Sequence, residues 1–331
     1  MILSIIIVNW RSKDYLRECL RTVEGTCADL APEIVVVDGA SFDGCGEMLA
    51  TEFPEVLFIQ SEENIGFGQC NNLGVSHATG DTVMLLNPDT ELKPGSVQDL
   101  AAALKGAPEV GLVGPRLLNS DHSLQTSCVL AFPTPLNQAL GSNFLRFLFP
   151  RSKLWGGGEV FESTDPVVVE AVSGACMVLA TDLYRRLGGF SPDYFMYCED
   201  LDLCAQVSRE GAKVLHVPSS EIIHHGSGSS SEQVSHFSTV LMRSANFIYM
   251  RRNHGVITSW VYRLLQFASA IMRLSLAVPF SFLPLSRVKN ASRRTARKWW
   301  YVLQWSLGFD QVGSGIRQPK IIPPSSASAL P

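Results

Sequence analysis

Four short segments of this 331-residue sequence carry side chains that could do chemistry. Asp38 follows the apolar run Ile34-Val35-Val36-Val37 and opens Asp38-Gly39-Ala40-Ser41-Phe42-Asp43-Gly44. A carboxylate just past a strand end can hold a base or ribose, for instance by accepting the imide N–H of a uracil or thymine. Asp38 and Ser41 equally suit a turn that caps the next helix, and both readings stay open. In Leu85-Leu86-Asn87-Pro88-Asp89-Thr90 a proline-stiffened carboxylate after a strand can bind Mg²⁺ or Mn²⁺ through hard oxygen and leave positions for a diphosphate. A plain turn or N-cap is the alternative. Glu199-Asp200-Leu201-Asp202 opens a helical pattern in which Asp200, Leu203, Cys204 and Val207 fall at i, i+3, i+4 and i+7. Asp200 therefore begins the inward stripe, and Glu199 and Asp202 are expected on the solvated side with Gln206, favouring the helix dipole. His224-His225-Gly226 offers an imidazole as a further Mn²⁺ ligand, or a structural histidine.

These segments need elements to hold them. Apolar runs predict strands near residues 2–8, 33–37, 56–60, 83–87, 111–114, 167–172, 175–180, 213–217 and 221–224. Leu16, Leu20 and Val23 share one helix face, as do Val97, Leu100, Ala101 and Leu104. Helices are expected at about 181–187 and 199–210. Loops dominate about 119–166, where Pro133, Pro135, Pro150 and Gly156-Gly157-Gly158 break the pattern. The alternation is that of βαβ units around a mostly parallel sheet, an α/β class. Glu63 to Gly74 is a glycine-rich turn opening a helix whose N-terminus suits a phosphate, though such a turn alone says little.

Taken in order, Val37-Asp38…Asp43-Gly44, Asn64-x-Gly66-Phe67…Asn71-Asn72-x-Gly74, Asn87-Pro88-Asp89 and Glu199-Asp200-x-Asp202-Leu203 resemble family 2 glycosyltransferases, and within them the rhamnosyltransferase-like branch. The resemblance covers residues 2 to 230. It implies a GT-A fold, a divalent metal (Mg²⁺ or Mn²⁺) and inverting transfer of a sugar, rhamnose in that branch, from a nucleoside-diphosphate donor. It implies Asp89 as metal ligand, with His224 rather than His225 completing the site, and Asp200 as general base. Asn9, Asp38, Ser41, Asp43, Asn64, Gly66, Phe67, Asn71, Asn87, Asp89, Gly174 and Ala175 form the candidate nucleotide-sugar-binding set. Val172-Ser173-Gly174-Ala175-Cys176 resembles the family's Ser-Gly-Ala segment beside sugar and acceptor. Glu199 and Tyr197 are placed on the acceptor side, and Tyr194, Phe195 and Met196 wall that pocket or pack in the core. The rivals are a non-catalytic nucleotide-sugar-binding protein and a sugar-phosphate nucleotidyltransferase. The latter needs a glycine-rich loop where this chain has Asn9-Trp10-Arg11-Ser12-Lys13.

Charge divides the chain. Residues 1–232 hold 14 Lys and Arg against 30 Asp and Glu, whereas residues 233–309 hold 11 Lys and Arg and no acid. Such asymmetry marks parts with different partners. Helices are expected near 234–252, 256–277 and 287–307, with Trp and Phe among the bases. The longest uncharged run, 274–286, is shorter than the roughly 20 residues of a bilayer span, so these helices are expected to lie on an anionic membrane surface, the plainer alternative being helices packed on the catalytic domain with basic solvent faces. No nucleic-acid-binding motif accompanies the basic patch. The expected organisation is a catalytic domain over 1–231, a basic helical segment over 232–310 and a disordered tail over 311–331. The N-terminal run reads as a strand and not a signal peptide, so a cytoplasmic location, peripheral to the inner face of the plasma membrane, is expected, with a polyprenyl-linked glycan as acceptor. Eight cysteines without a CxxC pair are expected to be reduced packing residues.

Overall fold

The computed structural model describes residues 2–140, 149, 152, 158–226, 236–281 and 286–309. The expected breakers Pro150, Gly156 and Gly157, the linker residues 227–231 and the tail 311–331 lie outside the described residues.

Strand β1 (Leu3–Asn9) is buried along its whole length, because its unbroken apolar run faces helices on both sides of the sheet. Ile5 and Ile7 meet Leu16, Leu20 and Val23 of α1 (Lys13–Cys27) on one face. Ile6 and Val8 meet the layer of α3 (Phe67–His77) on the other. Parallel pairing joins β1 to β2 (Glu33–Asp38) and β4 (Thr82–Leu86), and β2 to β3 (Leu57–Gln60). Helix α2 (Cys45–Glu52) precedes β3, and α4 (Ser96–Gly106) precedes β6 (Val110–Leu118). The sheet continues as β4-β10-β6-β11-β5, with β10 (Cys176–Ala180) antiparallel to its neighbours and β5 (Thr90–Leu92) antiparallel on the edge of β11 (Lys213–His224). β7 (Val129–Leu130) pairs with β9 (Ala171–Val172), and β8 (Val167–Val169) pairs with β11. All eight cysteines are free and buried.

Three differences from expectation have local causes. Residues 213–217 and 221–224 form one strand, because β6 stays paired to both halves across a bulge that absorbs Pro218. β5 was missed, since three residues after a proline turn show no periodicity. The stretch expected as loop contains α5 (Pro135–Leu140), started by reciprocal bonds: Asn137 N–H to Thr134 Oγ1 (3.1 Å) and Thr134 N–H to Asn137 Oδ1 (2.9 Å).

After β10 come α6 (Thr181–Leu187) and α7 (Glu199–Arg209), and after β11 three longer helices: α8 (His236–His254), α9 (Val256–Phe280) and α10 (Ser286–Leu307). They pack on the catalytic part. Tyr194, Cys198 and Ala205 share a core with Val240, Ala245, Tyr249, Met250, Tyr262 and Trp305. Asp202 was expected in solvent but is fully buried. Its carboxylate accepts from Asn253 Nδ2 (2.8 Å) and Gln206 Nε2 (3.1 Å) and faces Arg252 Nε (3.7 Å), so it clasps α8 to α7.

The basic residues are likewise less available than their number suggests. Arg252 pairs with Asp193 and Asp202. Arg263 donates to the carbonyls of Trp305 (2.8 Å) and Ser306 (3.1 Å), capping the C-terminus of α10, and its charge there suits the helix dipole. Arg251, Arg293, Arg294 and Arg297 remain exposed. Counting only uncharged runs also undersold α9, which by length and composition is able to cross a membrane despite Arg263 and Arg273.

Candidate functional site

The carboxyl ends of β1 and β2 hold a tight polar knot. Asp38 is completely buried. It accepts from Asn9 Nδ2 (2.8 Å), Ser41 Oγ (2.5 Å), Ser41 N–H (2.9 Å), Phe42 N–H (3.3 Å) and Gln60 Nε2 (2.8 Å). Burial opposes its charge, but the bonds from Ser41, Gln60 and Asn9 outweigh it and hold the carboxyl below its usual range. Of the two readings, this geometry is that of the turn: the carboxylate is saturated and shapes the loop instead of reading a base edge. Asp43 accepts the N–H groups of Lys13 (3.0 Å) and Cys45 (3.1 Å), fastening the first turns of α1 and α2. Asp38, Asp43 and Cys45 lie within 4.8 Å of one another, but these donors already occupy both carboxylates.

The glycine-rich turn also differs from expectation. Gly66 has φ +87°, and a Cβ there would sit 2.3 Å from the Phe195 carbonyl oxygen, so only glycine fits. Asn64 Oδ1 accepts the Gly66 N–H (3.1 Å), and Phe67 N–H donates to Phe195 O (3.0 Å). The first amide of α3 is thus committed to the segment before α7 rather than open to a phosphate. Asn71 is buried and donates to Phe67 O (3.1 Å), while Phe67 packs on Phe190.

At the end of β4 the geometry is different. Asp89 Oδ1 lies 3.3 Å from His224 Nε2, and Asn87 Nδ2 lies 3.4 Å from the same nitrogen. His224 Nδ1 is bonded to Gln125 Oε1 at 2.7 Å, and Gln125 Nε2 donates to the His224 carbonyl (3.1 Å). With its proton on Nδ1, the ring turns the Nε2 lone pair toward the Asp89 carboxylate. Two acceptor atoms face each other beside the Asn87 amide, whose buried Oδ1 has no hydrogen-bond partner among the described residues. A carboxylate oxygen, a carbonyl oxygen and an oriented imidazole suit a divalent cation of the Mn²⁺ or Mg²⁺ type. His225 is occupied elsewhere, by Glu91 (2.8 Å) and Ser120 (2.7 Å). Gln125 was missed in the sequence; nothing in its neighbourhood marks it.

The segment 173–175 joins this centre to α7. Asn87 N–H donates to Ala175 O (2.9 Å), and Gly174 N–H donates to Asp200 Oδ2 (3.0 Å). A Cβ on Gly174 would lie 3.2 Å from that of Asp200, so a side chain there would crowd the carboxylate. Tyr197 (φ +73°) and Cys198 (φ +65°) are successive left-handed residues just before α7. Such backbone costs of order 1–3 kcal/mol per residue and persists only where the surroundings enforce it. It turns Glu199 and Asp200 into a pocket of about 290 Å³ lined also by Ala131, Asn137, Tyr197, Met242 and Asn246. Asp200 is partly exposed. Burial raises its pKa more than the Gly174 and Leu201 amides lower it, which strengthens it as a base. Glu199, expected in solvent, is buried instead, and its Oε2 lacks a partner among the described residues. Burial and the neighbouring Asp200 push its pKa up to about 8.

A mixed sheet with one carboxylate centre at the end of β4 and a second at the start of α7 defines a glycosyltransferase of the GT-A fold. Residues 4–159 match the model of Glycosyl transferase family 2. That segment makes the chain similar to family 2 glycosyltransferases, and the relatives that follow carry the likeness toward the rhamnosyltransferase-like branch. It is 24% identical over 307 residues to N-acetylglucosaminyl-diphospho-decaprenol L-rhamnosyltransferase of Mycobacterium tuberculosis, covering 88% of this chain and 96% of the relative. It is 27% identical over 231 residues to rhamnosyltransferase WbbL of Escherichia coli, covering 67% of this chain and 82% of the relative. The fold is shared with mannosyltransferase PcManGT of Pyrobaculum calidifontis, solved with GDP-Man and Mn²⁺, at a TM-score of 0.57 and 18% identity over 93% of this chain and 86% of that one. GalNAc-T7, solved with UDP, GalNAc and Mn²⁺, gives 0.55 and 15% over 90% and 56%.

Proposed function

We propose that this enzyme transfers a sugar, rhamnose by likeness to the relatives above, from a nucleoside-diphosphate donor to a hydroxyl of a polyprenyl-linked glycan, with inversion at the anomeric carbon. The observation that carries it is the single segment 173–175 holding Asn87 by one backbone bond and Asp200 by another, so that a metal-diphosphate centre and a base are fixed to each other.

Asp89, His224 and the Asn87 carbonyl oxygen would hold the metal, which when bound neutralises the charge of the departing nucleoside diphosphate. Asn9, Asp38, Ser41 and Asp43 fix the loop beside the nucleoside, and Gly174 and Ala175 leave room for the sugar. Asp200 takes the proton of the acceptor hydroxyl as that oxygen attacks the anomeric carbon from the face opposite the leaving group. Glu199 and Tyr197 line the acceptor pocket, to which Met242 and Asn246 bring a wall from α8.

The outer face of α9 supports a peripheral membrane location at the inner face, where a polyprenyl acceptor is concentrated. Ile257, Trp260, Leu264, Ile271, Met272 and Leu276 are all exposed on it. The test is a panel of nucleotide sugars with a polyprenyl-diphosphate-linked acceptor, with Mn²⁺, Mg²⁺ or chelator, and the anomeric configuration of the product read by NMR. Metal-dependent transfer with an inverted centre is expected. A retained configuration would exclude single-base inversion, and transfer that is undiminished by chelator would remove the metal.

A further inference from the structure

Three cations converge where α8, α9 and α10 meet. The guanidinium carbon of Arg273 lies 4.2 Å from the centre of the Trp299 ring, and that of Arg243 lies 5.8 Å from it. Lys298 is close enough to feel both charges, and Arg243 also adjoins the Tyr262 hydroxyl. The sequence has no acid between residues 233 and 309. Nε of Arg243 and Nη1 of Arg273 are buried without a hydrogen-bond partner among the described residues. Burial, and then the charge of Arg243, lowers the pKa of Arg273 and of Lys298.

Two other arginines of these helices are satisfied. Arg252 has two carboxylates and Arg263 two carbonyls. Like charges gathered with open N–H donors oppose folding unless an anion completes them. Two guanidinium forks and an ammonium fit the oxygens of a phosphate, which accepts several charge-assisted bonds at once. All three side chains are partly exposed, so the niche opens to the surface. Arg273 lies at the border of the inward stripe of α9, one turn from the buried Ser269 and Ala270, and Leu276 of the apolar outer face is one turn further on. A ligand with a phosphate head and a hydrocarbon chain matches both features.

We propose that Arg243, Arg273 and Lys298 form a site for the phosphate group of a lipid, whose chain lies along the outer face of α9. It rests on the membrane association proposed above but not on the transfer reaction. The occupant is an anionic phospholipid of the membrane, whose phosphate answers the three cations and whose chains suit that face.

The full chain is melted in phosphate-free buffer with chelator, then with inorganic pyrophosphate, as wild type, Arg273→Met, Arg243→Met and Asp89→Ala. Pyrophosphate should raise the melting temperature of the wild type and of Asp89→Ala, which lacks the metal carboxylate, and should not raise that of the two arginine variants. Without pyrophosphate the arginine variants should melt no lower than the wild type, because a repulsion has been removed. A lower melting temperature in both, or an equal pyrophosphate response in all four proteins, would overturn the site. Neutral phosphatidylcholine vesicles doped with polyprenyl diphosphate or with phosphatidic acid identify the source. Arg273→Met should bind the correct vesicle about tenfold more weakly. Tighter wild-type binding to phosphatidic acid is expected, and tighter binding to the polyprenyl lipid would assign the niche to the acceptor and overturn the phospholipid. Equal binding of wild type and variant to both vesicles refutes the proposal and leaves the transfer assay unaffected.

Discussion

In β1, Ile5, Ile6 and Ile7 are completely buried, whereas the buried stripe of α9 is Ser259, Tyr262, Gln266, Ser269 and Ala270 and its exposed face is Ile257, Trp260, Leu264, Ile271 and Leu276. The sheet follows the pattern of a protein folded in water. The helix is turned inside out, with hydroxyls and amides inward and hydrocarbon outward, as when the outer solvent is itself apolar. The comparison separates two designs: the sheet side holds its carboxylates in hydrogen-bonded knots, and α9 presents hydrocarbon outward.

The strongest challenge to the sheet's side of this comparison is Asp200→Asn. Transfer should fall by about 10² to 10⁴ with donor binding kept, the range for a lost base, measured as kcat and as calorimetric donor affinity. Near-normal turnover would move the base to Glu199. Next is Leu264→Glu with Ile271→Glu. Each apolar side chain leaving the lipid forfeits roughly 1.5–3 kcal/mol, so liposome co-sedimentation should drop by more than tenfold while transfer to a soluble acceptor persists. Gln125→Leu should weaken metal affinity about 10- to 100-fold, because the His224 ring loses the partner that orients it. Titration of Mn²⁺ by calorimetry checks this.

Two smaller effects sharpen the boundary between the parts. The pKa of Glu199 is raised above its unfolded value of 4.5, to about 8. Its contribution to stability is therefore complete below about pH 4.5 and is lost as the pH rises toward 8. Glu199→Gln should flatten that decline in denaturant melts between pH 5 and 8.5, and an unchanged slope would mean that Glu199 ionises freely. Arg252→Ala should cost about 1–2 kcal/mol of stability, because Asp202 keeps Asn253 and Gln206 but loses its cation. Urea unfolding reads that loss.

Much of this was legible in the sequence. The strands that run into Asp38 and Asp89 are continuous apolar runs, and the fold follows from their order. The residues that meet at the end of β4 were legible as Asn87-Pro88-Asp89 with His224. It was the surroundings of each carboxylate that could not be read. Heptad-like spacing put Glu199 and Asp202 in solvent because it knew only the inner stripe of α7 and not that α8 would cover the opposite side. Asp38 stayed between a binding and a turn reading because its partners Gln60 and Asn9 come from other strands. Arg243, Arg252, Arg263 and Arg273 counted as surface charge until their packing showed two of them capping or clasping and two without anions.

Asp202 lies two residues beyond the proposed base, on the same helix, and its charge is answered from α8. The two halves are therefore not interchangeable modules. A chimera joining this catalytic half to another anchor would have to supply an asparagine and an arginine at the same place, or replace Asp202 by an apolar residue. A shortened enzyme cut in the linker would carry a solvent-opened core and an unanswered carboxylate one turn from its active site. Loss of activity on truncation would then report damage to the catalytic helix and not detachment from the membrane. Asp202 ties the two parts of the chain into one folded unit.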